Sequence, residues 1–251
     1  MAELRFAAPR KRRVALVTGG ARGIGRAIAL RLAADGRDLV IADILEEEAA
    51  GTVEAVRSRG REAVFLRTDV ADEPAVRSCV DGAAGHFGRL DILVCCAGIL
   101  GLEADFLEQS PAQFDKVLKI NLYGAYYAHQ AAIPHMLERG WGRCLSITSS
   151  ARNGSPHQVP YCVSKAALFC FVRSLGNAYP KRGVFVNGLE PGRALTDMVV
   201  PRFSREHLAN PGTPVGRYSD PEEVAEVAAF LCSERNTYTT GSIWSVKGGS
   251  G

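Results

Sequence analysis

Short apolar segments alternate with longer amphipathic segments along almost the whole chain. Segments rich in apolar residues predict strands at 14–17, 38–42, 63–66, 90–94, 142–149, 184–187 and 241–246. Helical periodicity fills intervals between them, at 26–34, 74–87, 111–139 and 161–179. Regular alternation of apolar strands with helices is typical of a parallel sheet that helices cover on both faces. The pattern therefore predicts an α/β fold with a doubly wound parallel sheet of about seven strands.

Length and composition limit the classes of protein to which this chain can belong. The 251 residues can bury one sizeable core, and no stretch resembles a linker, so a single domain over residues 1–251 is predicted, with residues 1–12 flexible. The net charge of +3 is spread along the sequence, and the basic run at 10–13 is interpreted as a solvated start of the first strand. Every apolar run is far shorter than a membrane span. No nucleic-acid or membrane partner is therefore predicted, and a soluble cytoplasmic protein is expected.

The seven cysteines predict no metal centre. Their number is odd, their spacing does not match paired metal ligands, and most lie in apolar strand or helix patterns. They are interpreted as reduced core residues in a reducing compartment. Adjacent Cys95 and Cys96 follow a predicted strand, in which neighbouring side chains point to opposite faces, and this argues against chelation of a soft metal.

A glycine-rich turn joins the first predicted strand to the first predicted helix. Gly19, Gly23 and Gly25 lie in the segment TGGARGIG at 18–25. Glycines without Cβ atoms let a backbone approach a pyrophosphate, and the helix that follows offers free N–H groups and a positive dipole end. The segment predicts a nucleotide-phosphate site, the alternative being a plain turn between strand and helix.

Asp43 ends the second predicted strand, about 20 residues beyond the glycine turn. A carboxylate there accepts hydrogen bonds from an adenosine ribose and repels a 2′-phosphate, although Asp43 also suits a helix cap. Arg22 favours the opposite choice, because a guanidinium beside the turn suits a 2′-phosphate. No Arg or Lys follows Asp43 to reinforce it. NAD(H) is therefore the predicted cofactor, with NADP(H) as the alternative.

Tyr161 and Lys165 are four residues apart, so a helix places them on one face. An ordinary tyrosine ionises near pH ~10, and a nearby ammonium favours the phenolate. This pair predicts a general acid/base at neutral pH, with an amphipathic surface pair as the alternative.

The glycine turn and the Tyr-Lys pair together resemble the motifs of the short-chain dehydrogenase/reductase family, and matches follow in the family's order from residue 13 to residue 249. The resemblance implies a Rossmann-like fold and hydride transfer between a nicotinamide and the carbon of a carbonyl or alcohol. It implies cofactor contacts at Gly19, Arg22, Gly23, Ile24, Gly25, Asp43, Asp69, Val70, Ala97, Gly98, Tyr161, Lys165, Pro191, Gly192 and Thr196. It implies catalytic residues at Asn121, Ser149, Tyr161 and Lys165.

The same resemblance suggests how the catalytic residues divide the work. Tyr161 is expected to give and take the proton, and Ser149 to stabilise developing alkoxide charge. Lys165 is expected to lower the Tyr161 pKa and hold the nicotinamide ribose, and Asn121 to keep a water between Lys165 and solvent. Asp69 is expected to meet the adenine.

Two stretches depart from the family's pattern. Cys95-Cys96 stands where the family usually has two asparagines, so amide hydrogen bonds to the neighbouring backbone are weakened or lost. The loop between the serine and Tyr161 is one residue short. Counting from the strand selects Ser149, counting back from Tyr161 selects Thr148, and Ser150 stays open.

The stretch 191–220 is longer than an ordinary connection and is predicted to be a substrate lid. Its apolar residues, expected to seal the nicotinamide from water, are Leu195, Met198, Val199, Val200 and Phe203. Its candidates for selecting a substrate group are Arg193, Arg202, Arg205 and His207. Just before it, Glu190 stands beside Arg193 as either a substrate contact or a local ion pair.

Three functions remain in view at this point. The first is oxidation or reduction of a small-molecule secondary alcohol or ketone with NAD(H). The second is an NADPH-dependent 3-oxoacyl-thioester-type ketone reductase, favoured if Arg22 outweighs Asp43. The third is a catalytically idle cofactor-binding scaffold or redox sensor, which the departures favour. Helix 161–179 carries more apolar surface around its circumference than one contact with the sheet needs. This surface also predicts a homo-oligomer, a dimer or a tetramer.

Overall fold

A twisted sheet of parallel strands forms the centre of the computed structural model, which describes residues 12–200, 204–209 and 212–250. The strands of the described residues are β1 Arg13–Thr18, β2 Arg37–Asp43, β3 Ala63–Arg67, β4 Ile92–Cys95, β5 Gly142–Ile147, β6 Val184–Pro191 and β7 Ile243–Val246. They pair in the order β3-β2-β1-β4-β5-β6-β7 and every pair is parallel. The predicted α/β, doubly wound fold is confirmed.

Helices cover both faces of this sheet. Their bounds are α1 Gly23–Ala34, α2 Glu46–Arg57, α3 Glu73–Phe87, α4 Pro111–Leu118, α5 Gly124–Glu138, α6 Val159–Ala178, α7 Arg205–Ala209 and α8 Pro221–Leu231. Short 3-10 turns lie at Phe106–Glu108, Ser150–Asn153 and Pro180–Arg182. One core lies between the sheet and α1, α2 and α8, and a second lies between the sheet and α3, α5 and α6.

The strand residues alternate between these two cores. Ala15 and Val17 of β1 pack into the first core, whereas Val14 and Leu16 pack into the second. Successive strand side chains point to opposite faces, so a strand between two helical layers must be apolar on both. This is why the strands were recognisable as continuous apolar runs.

The predicted helix at 111–139 is interrupted. A π-helical turn, Lys119–Tyr123, separates α4 from α5. The wider turn inserts an extra residue into the helical register, a device that is common at functional sites. Here it places Asn121 in the buried interior.

The basic run at 10–13 is not the solvated strand start that the sequence suggests. Arg13 is buried, donates to Asp91 at 2.9 Å and stacks on Trp141 with its guanidinium carbon 3.6 Å from the ring centroid. Residues 10 and 11 lie outside the described residues. That interpretation is therefore wrong for Arg13, because carboxylates on neighbouring segments compensate its burial.

The described cysteines are all free thiols. Those that are buried are Cys79, Cys95, Cys144, Cys162 and Cys232, whereas Cys96 is half-buried and Cys170 is exposed. Among the described residues no group of three His, Cys, Asp or Glu is arranged to hold a metal. None of the described helices combines the length and apolarity that crossing a membrane requires.

The predicted lid is described only in part. Residues 191–200, α7 and residues 212–220 have defined positions, and an isolated parallel bridge joins Ala194 to Ser219. Pro201, Arg202, Phe203 and Pro211 lie outside the described residues, as does the side chain of His207. The assignment of a substrate lid stays a prediction.

Candidate active site

A crevice opens at the carboxyl ends of the strands, where the chain reverses direction across the sheet. The loops after β1 and β4 diverge there, because β1 leads toward β2 and β3 on one side while β4 leads toward β5 and β6 on the other. Ligands of open α/β sheets bind at such switch points. The crevice encloses a cavity of about 360 Å³.

The structure brings every predicted cofactor-binding residue to the wall of this cavity. Those residues are Gly19, Arg22, Gly23, Ile24, Gly25, Asp43, Asp69, Val70, Ala97, Gly98, Tyr161, Lys165, Pro191, Gly192 and Thr196. Ser149 lines it as well. Cys96, Thr148 and Met198, which the sequence analysis named, line the cavity too, and further lining residues that sequence reasoning missed are Ile44, Leu45 and Ile147. Their shared signal is position, because each lies at or just beyond the carboxyl end of a strand.

The glycine turn is held too closely for side chains. Gly19 has a φ of +68°, and a Cβ on it would lie 2.6 Å from the backbone nitrogen of Ala97. A Cβ on Gly25 would lie 2.0 Å from the Gly19 oxygen. No side chain caps α1, and its first turn carries no acidic residue. The N–H groups at the start of α1 therefore face the cavity as a site for an anion such as pyrophosphate.

Asp43 is fixed at the end of β2 by backbone donors. Its Oδ2 accepts from Ala21 N at 3.0 Å, and its Oδ1 accepts from Ile44 N at 2.8 Å and Leu45 N at 3.2 Å. The bond from Ala21 ties the carboxylate to the glycine turn, and the bonds from Ile44 and Leu45 tie it to the backbone that leads into α2. The charge is therefore held at the cavity wall.

Arg22 extends across the mouth of the cavity. Its Nε lies 3.9 Å from Asp197 Oδ2, and more than half of each side chain is exposed. The pair bridges the glycine turn and the segment that follows Pro191. An exposed pair of this length stabilises little, because solvent screens it.

Tyr161 and Lys165 share one face of α6 and point into the crevice. Lys165 Nζ donates to Ile147 O at 2.8 Å and lies 5.7 Å from the centroid of the Tyr161 ring. Burial lowers the pKa of Lys165 to about 8. Burial also raises the pKa of Tyr161 above its ordinary value, and the Ser149 hydroxyl opposes that rise. Lys165 is not among the groups that shift the pKa of Tyr161, so the lowering expected from it stays a prediction.

The three candidate hydroxyls at the end of β5 have different surroundings. Thr148 is buried and donates to Leu189 O at 3.1 Å. Ser149 accepts from Ala151 N at 3.2 Å and interacts with the Tyr161 phenol. Ser150 begins the 3-10 turn. Ser149 therefore has the geometry that a hydroxyl acting together with Tyr161 requires.

Asn121 holds the backbone that follows β4. Its Oδ1 accepts from Ile99 N at 2.8 Å, and its Nδ2 donates to Ile99 O at 2.9 Å and to Ser164 Oγ at 3.0 Å. A small cavity of about 10 Å³ lies between Asn121 and Lys165. Its size approaches the minimum for one water molecule.

Cys95 and Cys96 point to opposite sides, as strand geometry predicts. Cys95 faces the core, with Sγ 3.7 Å from His129 Nδ1, whereas Cys96 lines the cavity. Burial raises the pKa of the Cys96 thiol to about 12 and raises that of Cys95 further. Both are therefore neutral thiols near pH 7.

Comparison with known proteins identifies the fold's relatives. The family model described as enoyl-(acyl carrier protein) reductase matches residues 19–250. The chain is 38% identical to cis-4-hydroxycyclohexanecarboxylate dehydrogenase of Sinomonas cyclohexanicum, over 94% of this chain and 96% of that protein. The chain belongs to the short-chain dehydrogenase/reductase family. It is also 35% identical to the 3-oxoacyl-[acyl-carrier-protein] reductase FabG of Aquifex aeolicus, with the same coverage of 94% and 96%.

Two solved members of the short-chain dehydrogenase/reductase family share the architecture closely. Levodione reductase superposes with a TM-score of 0.90 at 31% identity, covering 94% of this chain and 96% of that one. A 7α-hydroxysteroid dehydrogenase was solved with NADH and 7-oxo glycochenodeoxycholic acid. It also superposes with a TM-score of 0.90 at 31% identity, covering 95% of this chain and 94% of that one. The protein is therefore an oxidoreductase of this family with an alcohol- or ketone-type substrate.

Proposed function

We propose that this protein interconverts a secondary alcohol and a ketone with NAD(H), using Tyr161 as the general acid/base. The observation that carries the proposal is the convergence of Tyr161, Ser149 and Lys165 on the cavity that the glycine turn also lines. The glycine turn would hold the phosphates of a dinucleotide, and Tyr161, Ser149 and Lys165 line the same cavity for chemistry at its nicotinamide. No such convergence is needed in a protein that only binds a cofactor.

Proton transfer is assigned to the side chains of the chain itself. A bound nicotinamide supplies or accepts the hydride. The carbonyl oxygen lies between the Tyr161 phenol and the Ser149 hydroxyl, which donates a hydrogen bond to the developing alkoxide. Tyr161 gives its proton to that oxygen during reduction and takes it back during oxidation.

Lys165 and Asn121 complete the proton path. Lys165 is held by Ile147 O and is placed to meet the nicotinamide ribose. Its charge, together with that of an oxidised nicotinamide, stabilises the Tyr161 phenolate. The small cavity beside Asn121 is assigned to the water that would link Lys165 to solvent, because Asn121 and Lys165 both line it.

Preference for NAD(H) rests on Asp43. Its carboxylate is fixed at the wall where an adenosine ribose lies, and it repels a 2′-phosphate. The charge of Asp197, 3.9 Å from Arg22, further disfavours a 2′-phosphate beside Arg22. Asp69 and Val70 are assigned to the adenine, and Pro191, Gly192 and Thr196 to the nicotinamide.

Cofactor and chemistry are tested separately. Fluorescence titration with NADH and with NADPH is expected to give tighter NADH binding. NAD⁺-dependent oxidation is then assayed with cis-4-hydroxycyclohexanecarboxylate and a 7α-hydroxysteroid, the substrates that relatives' names suggest. Tyr161→Phe is expected to abolish turnover while NADH still binds. Near-normal turnover by Tyr161→Phe contradicts the assignment.

A second candidate is an NADPH-dependent reductase of 3-oxoacyl thioesters. The similarity to FabG and the position of Arg22 at the cavity favour it. Tighter NADPH binding together with reduction of an acetoacetyl thioester supports this candidate over the first. An idle scaffold or redox sensor is supported only if the cofactor binds and the wild-type protein turns over none of the alcohols, ketones or thioesters tested.

The protein is further proposed to be a cytoplasmic homo-oligomer. Aromatic and aliphatic side chains are exposed at the start of the α5 segment and on α6, at Tyr123, Tyr126 and Val163. Exposed apolar groups on adjacent helices favour burial against a second copy. The free thiols support a reducing compartment.

A further inference from the structure

Glu190 is a buried carboxylate beside the site with no part in the mechanism above. It is 1% exposed and precedes Pro191 at the end of β6. Its Oε1 accepts from Arg152 Nε at 3.1 Å, and its Oε2 accepts from Ser245 Oγ at 2.7 Å and lies 3.4 Å from Lys247 Nζ. A charge buried this far requires such partners.

These contacts keep Glu190 ionised. Burial alone raises the pKa of its carboxyl, but the Ser245 hydrogen bond and the charges of Lys247 and Arg152 hold it below the ordinary value. The sequence offered Arg193 as the neighbouring ion-pair partner. The structure instead pairs Glu190 with residues 38 and 57 positions away along the chain, Arg152 and Lys247.

Arg152 connects this carboxylate to the segments that carry the chemistry. It lies in the 3-10 turn Ser150–Asn153, directly after Ser149. Its guanidinium carbon lies 4.5 Å from the centroid of the Phe169 ring on α6, the helix of Tyr161. One guanidinium therefore contacts both β6, through Glu190, and α6.

Lys247 connects the same carboxylate to the segment Pro191-Gly192, which is assigned to the nicotinamide. A Cβ on Gly192 would lie 2.8 Å from the Lys247 Cα, so the two backbones are in direct contact. Gly192 N also donates to Val246 O at 2.8 Å. The carboxylate thus joins three segments, which carry Ser149, Tyr161 and Pro191-Gly192.

The turn after Ser149 needs an anchor of this kind. Its backbone hydrogen bonds, from Arg152 N to Ser149 O at 3.2 Å and from Gly154 N to Ala151 O at 2.9 Å, stay within the turn. Such local bonds set the shape of the turn but not its position against α6. The Arg152 guanidinium adds two long-range contacts, with Glu190 of β6 and with Phe169 of α6, and these hold the turn between the two elements.

We propose that Glu190 is a positioning residue that, through Arg152, holds the turn carrying Ser149 against the helix carrying Tyr161. The inference rests on the proposed function, because it assigns Glu190 to the same reaction. A displacement of about 1 Å in a catalytic group is enough to cost up to ~100-fold in rate. Loss of the Glu190 charge is therefore expected to act on the reaction through Ser149.

The variants separate charge from volume. Glu190→Gln keeps the side-chain size but removes the charge, and Arg152→Met keeps an apolar stem for Phe169 but removes the guanidinium. Glu234→Gln is the matched control, because Glu234 also bridges two cations, Arg13 and Arg37, at the opposite end of the sheet. All three are compared with wild type for cooperative unfolding.

The first readout needs no substrate. Protein labelled with ¹³Cζ-tyrosine is titrated with alkali, and the Tyr161 resonance is assigned by its absence in Tyr161→Phe. The Ser149 hydroxyl favours the phenolate, so its displacement is expected to move the Tyr161 ionisation upward in Glu190→Gln and Arg152→Met but not in Glu234→Gln. An unchanged Tyr161 titration in folded Glu190→Gln overturns the proposal. If Glu190→Gln does not fold, Arg152→Met decides by the same measurement.

The second readout is kinetic. It uses whichever of the two test alcohols, cis-4-hydroxycyclohexanecarboxylate or the 7α-hydroxysteroid, the wild-type protein oxidises. Glu190→Gln and Arg152→Met are each expected to lose about 10- to 100-fold in kcat with an unchanged Kd for NADH. The double variant is expected to be no slower than the worse single variant, because both act through one contact. A loss of thermal stability with unchanged kcat and an unchanged Tyr161 titration makes the cluster purely structural and contradicts the proposal.

The two proposals fail in different ways. If Tyr161→Phe turns over like wild type, the proposed function fails whatever Glu190→Gln does. If Tyr161→Phe is inactive and Glu190→Gln matches wild type in both readouts, only the positioning role fails.

Discussion

Individual residues at the cavity are constrained by backbone contacts as much as by a ligand. Asp43 accepts three backbone hydrogen bonds, and Gly19 lies against the backbone of Ala97. The same atoms that hold the turn closed also present it to a nucleotide. Substitutions here therefore affect stability and cofactor binding together, and matched controls are needed to separate the two.

Replacing Asp43 by Asn is expected to relax cofactor selectivity. The charge that repels a 2′-phosphate is gone, and the amide oxygen can replace only one of the two carboxylate oxygens that accept backbone hydrogen bonds, so some loss of stability accompanies the change. The ratio of NADPH to NADH affinity, measured by fluorescence titration, should rise about tenfold, which corresponds to ~1.4 kcal/mol of binding free energy. Glu46→Gln, an exposed carboxylate at the start of α2, serves as control and should leave the ratio unaltered. An unchanged ratio in Asp43→Asn argues against Asp43 as the selector.

Replacing Gly19 by Ala is expected to cost more than replacing Gly36 by Ala. Both glycines have positive φ, +68° and +84°, but a Cβ on Gly36 would meet nothing within 4 Å. Gly36→Ala should lose only the backbone term of about 1–2 kcal/mol in the free energy of unfolding. Gly19→Ala should lose more and bind NADH weakly, because the Ala97 backbone must move. Equal losses in urea denaturation would show that crowding at Gly19 is unimportant.

At the scale of elements, α5 and α6 carry both chemistry and core. The π-turn before α5 aims Asn121 at the backbone after β4, while α6 aims Lys165 at the end of β5. His129 of α5 lies in the core between them, with its Nδ1 2.7 Å from Ala125 O. The remaining ring nitrogen, Nε2, is buried without a hydrogen-bond partner among the described residues. A neutral imidazole suits this environment, and a charged one does not.

His129 is expected to make the protein less stable in mild acid. Burial lowers its pKa to about 4, below the ordinary value of 6.5. The unfolded chain therefore binds the extra proton between these values, and the free energy of unfolding falls as pH drops from 6.5 toward 4. The full effect is about 3 kcal/mol. His129→Leu should flatten this dependence in urea denaturation at pH 7 and pH 5, whereas His86→Gln, an exposed histidine, should not. Identical slopes in wild type and His129→Leu would refute the assignment.

At the scale of the whole molecule, two clusters of ion pairs lie at opposite ends of the sheet. The amino ends of the strands carry the cluster of Arg13, Arg37, Asp91 and Glu234, and the carboxyl ends carry Glu190 with Arg152 and Lys247. Only the second cluster borders the loops that line the cavity. The helices on the outer faces remain available for assembly.

An α5 surface charge is expected to dissociate the proposed oligomer. Tyr126 is 43% exposed beside Phe171, with ring centroids 6.2 Å apart. Tyr126→Glu should shift the molar mass in light scattering toward that of one chain, because a carboxylate resists burial at an interface. Tyr238→Glu, at a tyrosine that is 97% exposed elsewhere, should leave the mass unchanged. A monomeric wild type contradicts the assembly outright.

The sequence by itself determined the features that depend on near neighbours along the chain. Apolar runs identified the strands, and the alternation with helices identified the doubly wound sheet, because periodicity records which faces are buried. The glycine spacing after β1 and the four-residue spacing of Tyr161 and Lys165 identified the family. Each of these signals lies within one or two elements.

Only the tertiary structure decided contacts between distant segments. It paired Glu190 with Arg152 and Lys247 rather than with its neighbour Arg193, and it buried Arg13 against Asp91. It also directed the Thr148 hydroxyl to Leu189 O and placed the Ser149 hydroxyl beside Tyr161, and it interrupted the helix at 111–139 to bury Asn121. These outcomes depend on strand order and register, which bring residues tens of positions apart into contact, and no local periodicity encodes that geometry.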